Sequence, residues 1–404
     1  MDKASKGPGN IMGCRNVVFF DDGYRTGGQV DTEIVDVEGD GVDKVVDLAI
    51  ELVKGGKRVL VVRNTVKLAI STYIKLRERL PNGVNVGLLH GRLTHGGDRE
   101  RVMDMLGGKL DVLVATQVIE AGVDLDYDAL ITDAAPLAQL VQRVGGRICR
   151  KRPECRGGEA YILKGSDEYY DKAVRGGVYD VDLVKGGTIN VISGIKDVDW
   201  KVPDSTNSQS YLNLLNKVYS QYYGGLEIDH DLRDALTALD SIVTMHRSDA
   251  ENVLNKLCSF VRESQMVTLI VNHQVCLSQG DSTNVMHCLE ENSISLDLDY
   301  LNRRINNKRY LYEELFNIEY GYVKVIALVN KEIKEVSIPL DRLTYGGKLS
   351  CSKFNRLDVI LYTAVKKGEL TDAEDAAIHV VALGIETRPG AYRDELGLNV
   401  DVGG

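Results

Sequence analysis

Apolar residues in the first 165 positions follow two alternating rhythms. Val42, Val45, Val46, Ala49, Leu52 and Val53 recur at intervals of three and four, the period of one helix face, and Gly55-Gly56 stops that helix. Arg58 to Val62 is a continuous apolar run, suited to a strand covered on both faces. Helical spacing returns at Val66, Ala69, Ile70, Tyr73 and Leu80. Val84–Leu89, Val112–Ala115, Ala129–Thr132 and Ala160–Leu163 read as further strands, preceded by Asn16–Phe20 and Glu33–Val37. Asp98 is placed to cap a helix reaching Leu106, and Leu137–Val144 forms another. Strands that alternate with helices in this way predict an α/β fold with a doubly wound parallel sheet. Ligands of such sheets gather at the carboxyl ends of the strands. The polar tips Arg63-Asn64-Thr65, His90-Gly91-Arg92 and Thr116-Gln117 all stand there.

The rhythm changes beyond residue 175. Residues 176–204 are rich in Gly and Asp with no clear period and read as a connector. Residues 205–404 then predict an accessory α+β domain. Tyr211, Leu214, Leu215, Val218, Tyr219 and Tyr222 share one helix face; Leu232, Ala235, Leu236, Leu239, Ile242 and Val243 share another. Ser248 with Glu251 is a capping box for a third helix. Met266–Val271, Tyr322–Val329 and Val336–Leu340 read as strands, the last two joined through Asn330-Lys331-Glu332.

Composition narrows the possible partners. A net charge of −10 argues against indiscriminate binding to nucleic acid, so any such contact needs a local basic stripe. One exists: Arg143, Arg147, Arg150, Lys151, Arg152 and Arg156 are opposed only by Glu154. A second, Arg303, Arg304, Lys308 and Arg309 beside Tyr310, offers cations and a ring on which a base can stack; a solvated helix face explains it equally well. Seven scattered cysteines without a CxxC pair point to a reduced, cytoplasmic compartment rather than a disulfide framework. The polar N-terminus lacks a signal-peptide core, and no apolar run has the length of a membrane span.

Arg147 and Arg150 are three apart and point the same way on a helix or tight turn. Phosphoryl transfer calls for positive charge against the γ-phosphate, which a guanidinium supplies in a planar fork. Thr116-Gln117 follows a buried strand, where a hydroxyl and freed backbone N–H groups can hold a phosphate. Gly122 permits a turn, and Asp124 can accept from a ribose hydroxyl or an arginine. In isolation each has an ordinary alternative, a surface arginine pair or a strand-to-helix loop with a capping threonine; their order along the chain favours the functional reading. His90 and His95 lack further donors at ligand spacing, so no metal site is expected.

VLVATQVIEAGVDLD (112–126) and LAQLVQRVGGRICR (137–150), with VRNTVKLA and LLHGRLT, resemble the second RecA-like lobe of superfamily 2 helicases, and more narrowly the CRISPR-associated helicase of type I interference systems. The family's NT pair is matched by Asn64-Thr65, its LLHxR by Leu88-Leu89-His90-Gly91-Arg92, and its T-Q-V-x-E-x-G-x-D by Thr116, Gln117, Val118, Glu120, Gly122 and Asp124. Its QRxGRxxR is matched by Gln142, Arg143, Gly146, Arg147 and Arg150, with one extra glycine. AYRDELGLNVD near the end is similar to a Y-x-x-E-x-G-L segment of that family's C-terminal domain. The resemblance covers residues 16–175 well. It implies a helicase lobe over residues 1–175 and ATP- and Mg²⁺-driven translocation on single-stranded DNA, 3′ to 5′, at a target exposed by an RNA-guided surveillance complex. It further implies arginine fingers at Arg147 and Arg150, nucleotide contacts at Gly122, Asp124, Gln142 and Arg143, and DNA-backbone contacts at Arg63, Asn64, Thr65, His90, Gly91, Arg92, Thr116 and Gln117.

The sequence contains no GxxxxGK[ST], and neither Asp167-Glu168 nor Asp394-Glu395 is placed as a magnesium-binding Asp-Glu box. The chain therefore reads as a split-gene product or fragment that works beside a first RecA-like lobe, inactive as an ATPase alone. A histidine-aspartate nuclease is a possible partner for the system; His230-Asp231, His246 and Asp249 read as helix-start residues instead. Two alternatives stand beside the motor reading: a non-catalytic nucleic-acid-binding scaffold subunit, and part of another superfamily 2 motor.

Overall fold

The computed structural model describes residues 29–106, 110–120, 123–149, 155, 157–175, 179–195, 197–202, 204, 206–223, 266–279, 282–305, 309–354, 357–367 and 379–398. The expected strand at Asn16–Phe20, the helix from Leu232 and the Ser248 capping box lie outside them. Two compact units result. The first holds residues up to His90 and Val102–Leu226; the second holds Gly91–Arg101 and Glu227–Gly403. Among the described residues no helix is long and apolar enough to cross a membrane.

The first unit is built on a six-stranded parallel sheet in the order β1-β6-β5-β2-β4-β3. The strands are β1 (Gln29–Val37), β2 (Val59–Val62), β3 (Val86–Leu89), β4 (Val112–Ala115), β5 (Ala129–Thr132) and β6 (Gly157–Gly165). β2 lies between β4 and β5, with Val62 level with Ala115 and Thr132, so three polar strand tips emerge side by side. All four residues of β2 are fully buried, which explains its unbroken apolar run. Each such side chain contributes about 1.5–3 kcal/mol. Helix α1 (Val42–Lys54) buries Val42, Val45, Val46, Ala49 and Leu52, the face that the spacing predicts. It ends at Gly55, and Gly56 takes the left-handed φ of 78° that favours glycine. Helix α2 (Val66–Arg79) is capped by the Thr65 hydroxyl, which accepts from Leu68 N.

Two expectations change here. Asp98 lies inside helix α3 (Gly97–Met105) rather than capping it, and its carboxylate accepts from the Tyr392 hydroxyl at 2.7 Å and Glu395 N at 2.8 Å. Much of the supposed connector is ordered. A π-helical stretch Asp182–Ile189 runs into the short helix Asn190–Ser193, burying Leu183, Val184, Ile189 and Ile192. Gly186 and Gly187 mask its apolar period in the sequence.

The second unit has its own sheet. β7 (Met266–Ile270) pairs antiparallel with β8 (Ser293–Asp297) and parallel with β11 (Val380–Glu386). β9 (Tyr322–Val329) joins β11 to β10 (Glu332–Pro339) in antiparallel pairing. Asn330 and Lys331, both at positive φ, make the tight turn between β9 and β10. Alternation along β7 and β9 separates two cores: Leu269, Val325 and Ala327 face the larger one, Ile270 and Ile326 a smaller one with Cys276, Val285, Cys288 and Leu289. Against the expectation of unpaired thiols, Cys149–Cys155 and Cys276–Cys288 are bridged.

Candidate functional site

The carboxyl edge of the parallel sheet carries a buried polar network. Arg63, directly after β2, is fully buried and donates to Asp133 Oδ2 (3.0 Å), Thr72 Oγ1 (2.9 Å) and the Asp40 carbonyl (2.7 Å). Asp133 follows β5 and also accepts from Asn64 N (2.8 Å) and the Tyr169 hydroxyl (3.1 Å). Burial first, and the Asp133 carboxylate second, push the Tyr169 phenol well above its ordinary range, so it stays a proton donor. A buried carboxylate holding an arginine, a backbone N–H and a phenol is satisfied on both oxygens, as a low-dielectric interior requires.

Asn64 links this cluster to the arginine helix. Its Nδ2 donates to the Ala134 carbonyl (2.7 Å), and its Oδ1 accepts from Arg143 Nη1 (3.0 Å). Arg143 is fully buried and also donates to Glu120 Oε1 (2.8 Å), Thr132 Oγ1 (2.9 Å) and the Tyr179 hydroxyl (3.2 Å). Gln117 Nε2 reaches the Asn64 carbonyl at 2.8 Å. Arg147 donates from Nε and Nη2 to the Ile119 carbonyl (3.2 and 2.9 Å), from Nη2 to that of Glu120 (3.1 Å), and from Nη1 to that of Gly146 (2.9 Å). The 3-10 turn Gln117–Ile119 is therefore gripped by two arginines, one through the Glu120 side chain and one through main-chain carbonyls.

The extra glycine is absorbed by helical geometry. α4 (Leu137–Leu140) continues as a π-helical turn, Val141–Gly145, whose i→i+5 hydrogen bonds enclose one more residue than those of an α-helix. Arg143 thereby points into the network while Gln142 is exposed. The two glycines are not equivalent. A Cβ on Gly145 would collide with the Trp200 carbonyl oxygen, whereas one on Gly146 would meet nothing within 4 Å. Gly145→Ala should destabilise the first unit by about 1–3 kcal/mol, as overpacking does; Gly146→Ala should stay within about 0.5 kcal/mol of the parent. Thermal unfolding followed by the fluorescence of Trp200, the only tryptophan, checks both, and equal stability of the two variants would refute the packing role.

The expected site residues separate accordingly. Arg63 and Asn64, expected at a DNA backbone, are interior groups whose polar atoms bond Asp133, Ala134 and Arg143. Thr65 is a helix cap, His90 and Thr116 are buried, and Asp124 is exposed. Gly91 and Arg92 belong to the second unit, where the Arg92 guanidinium stands 4.6 Å from the centre of the Tyr300 ring, with Arg303 5.2 Å from that ring. Gly122, Arg150 and Lys308 lie outside the described residues, as do His230-Asp231, His246 and Asp249. Tyr310 is not an open stacking platform: it is buried, lies parallel to Tyr312 and carries Arg304 over its ring at 5.0 Å. Asp167 and Glu168 are exposed and paired with Lys185 and Lys172. Asp133, Thr132, Tyr169 and Tyr179 escaped the sequence reading. Asp133 carried the same signal as Arg63, a charged residue directly after a buried strand; the tyrosines carried none.

Residues 55–153 match the family model "CRISPR-associated nuclease/helicase Cas3, C-terminal". The chain is 40% identical over 98 residues to the CRISPR-associated endonuclease/helicase Cas3 of Escherichia coli K12, a match that takes in 22% of this chain and 11% of that protein. It is 24% identical over 213 residues to the CRISPR-associated nuclease/helicase Cas3 of Methanothermobacter thermautotrophicus, covering 50% of this chain and 24% of the other. The crystal structure of T. fusca Cas3 superposes with a TM-score of 0.46 at 20% identity, over 67% of this chain and 36% of that one. The chain thus corresponds to a minor part of the length of each of these relatives.

Proposed function

We propose that this chain, which carries the C-terminal helicase part of a CRISPR-associated superfamily 2 protein over residues 55–153, works as the second motor lobe of an ATP-dependent single-stranded-DNA translocase. ATP and Mg²⁺ would be seated by a first RecA-like lobe, since no GxxxxGK[ST] occurs in these 404 residues. This lobe would add Arg147, with Arg150, against the γ-phosphate, and Thr116 with Gln117 to the DNA backbone. The RNA-guided surveillance complex, and a histidine-aspartate nuclease, are the partners such a motor would serve.

The grip of Arg143 and Arg147 on the turn after Thr116 is the observation that carries this reading. A γ-phosphate is a stronger acceptor for a guanidinium than a peptide carbonyl, because the bond is charge-assisted on both sides. When a nucleotide is held by the opposing lobe, Arg147 exchanges the Ile119 and Glu120 carbonyls for phosphate oxygens. The turn is then released on one side while Arg143 and Glu120 keep it anchored on the other. Thr116 opens that turn, its carbonyl accepting from Ile119 N at 3.4 Å, so nucleotide state and backbone contact share one hinge. The Gly122 and Asp124 segment, with Gln142 on the exposed side of the π turn, would line the nucleotide. Arg143 would act as a positioning residue.

Thr116→Ala should raise the DNA concentration needed for half-maximal ATP turnover about five- to tenfold, the loss of one hydrogen bond, and leave the KM for ATP within about twofold. Titration of an oligonucleotide into the assembled two-lobe enzyme measures both; an unchanged DNA dependence removes Thr116 from the track. A second reading, a non-catalytic scaffold, is favoured by the hydrogen bonds that Arg147 makes to the Ile119, Glu120 and Gly146 carbonyls of its own lobe. It predicts single-strand binding that is indifferent to ATP.

A further inference from the structure

We infer that the second unit contains a divalent transition-metal site formed by His273, Glu335 and Glu386, with Gln274 as an auxiliary donor. The three come from separate elements. His273 opens α5 (His273–Leu277) just past β7, Glu386 ends β11, the parallel neighbour of β7, and Glu335 lies on β10. One ring nitrogen and one oxygen from each carboxylate lie within 4.8 Å of one another. A cation held tetrahedrally at about 2.0–2.2 Å by imidazole and carboxylate donors sets neighbouring ligands about 3.4 Å apart, so the side chains draw together around the ion.

Ion pairing alone leaves this cluster incomplete. His273, itself buried, meets Glu335 Oε1 through Nε2 at 2.7 Å and Glu386 Oε1 through Nδ1 at 3.3 Å. Glu386 is 8% exposed, and its Oε2 is buried without a hydrogen bond. The cation near that oxygen, Lys324 Nζ, stands 3.9 Å away and is shared with Glu319 at 3.8 Å, outside hydrogen-bond reach of either. A buried carboxylate oxygen with no donor is costly, and a metal ion is the partner that a histidine and two carboxylates jointly accept. Gln274 completes the donor set. The end of its amide lies 2.8 Å from His273 Nε2 and 2.6 Å from Glu335 Oε1, and a half-turn of the amide places its oxygen there. An imidazole with oxygen donors suits Zn²⁺ or Mn²⁺ and not a thiolate-seeking ion. Lys324 is the competing positive charge, and an arriving dication displaces it towards Glu319. A bound ion would clamp β10, β11 and the start of α5 on the side of the sheet that has the smaller core.

The test uses the full chain, stripped with a chelator and titrated with Zn²⁺ and with Mn²⁺ by calorimetry. We expect the affinity of one equivalent to fall at least about tenfold, the scale on which even outer-shell changes act, in both Glu386→Gln and His273→Ala. Lys324→Met, which removes no donor, should bind more tightly than the parent. X-ray absorption of the loaded chain should show nitrogen and oxygen neighbours without sulfur. Equal stoichiometry and affinity in the parent and Glu386→Gln would overturn the site, as would sulfur ligation or weaker binding by Lys324→Met. Far-UV circular dichroism identifies a variant that fails to fold, and Lys324→Met then decides alone.

Discussion

Arg147→Ala should lower ATP turnover of the assembled two-lobe enzyme by about three to five decades, the scale on which an arginine acts on a transferring phosphoryl group. The Arg63–Asp133 and Arg143–Glu120 pairs hold the edge together. Arg147 donates to the main-chain carbonyls of Ile119, Glu120 and Gly146. Folding should therefore survive: loss of a few bonds to carbonyls costs about 1–3 kcal/mol. Arg147→Lys should restore little, since a point charge cannot reproduce a fork that contacts two oxygens. Single-turnover hydrolysis with matched unfolding curves separates the two effects. Turnover within tenfold of the parent would remove the finger assignment.

Arg63→Ala should destabilise the first unit by about 3–5 kcal/mol, because it strands the Asp133 carboxylate in the interior. In a unit of this size that corresponds to a fall in Tm of about 6–20 °C. The surface pair Arg79–Asp47, with both side chains about half exposed, provides the control: Arg79→Ala should cost less than about 1 kcal/mol. Arg63→Met combined with Asp133→Leu should recover only part of the loss. Asp133 also accepts from Asn64 N and the Tyr169 hydroxyl, and both would lose their acceptor. Thermal unfolding of the single and double variants measures these terms. A loss for Arg63→Ala no greater than that for Arg79→Ala would show that Arg63 is not the structural cation described here, and would restore it as a candidate for ligand contact.

The parallel sheet was legible because a strand buried on both faces must be apolar at every position, as β2 and β4 are, and because α1 keeps strict helical spacing. The polar residues at the strand tips were legible too, but not their roles. Arg63 and Arg147 look alike in a sequence; what separates them is Asp133, seventy positions beyond Arg63, which claims one and not the other. The two glycines of the arginine turn could not be ranked without Trp200, a contact from outside the helix. Asp98 reads as a cap because an acid before an apolar run usually is one; the hydroxyl that claims it comes from Tyr392. In the second unit, His273, Glu335 and Glu386 share no spacing that marks a ligand set. Sheet pairing of β7 with β11 is what assembles them.

The central claim is that the carboxyl edge of this lobe completes a nucleotide pocket whose phosphate cradle belongs to a P-loop lobe. It is tested most directly by ATP turnover measured for the purified chain, for a P-loop-bearing first lobe of a Cas3-type helicase, and for the two combined, each with and without single-stranded DNA. The account predicts background turnover from either part alone and DNA-dependent turnover from the pair. Hydrolysis above background by this chain alone, or a pair that stays silent while the two parts bind each other, would contradict it.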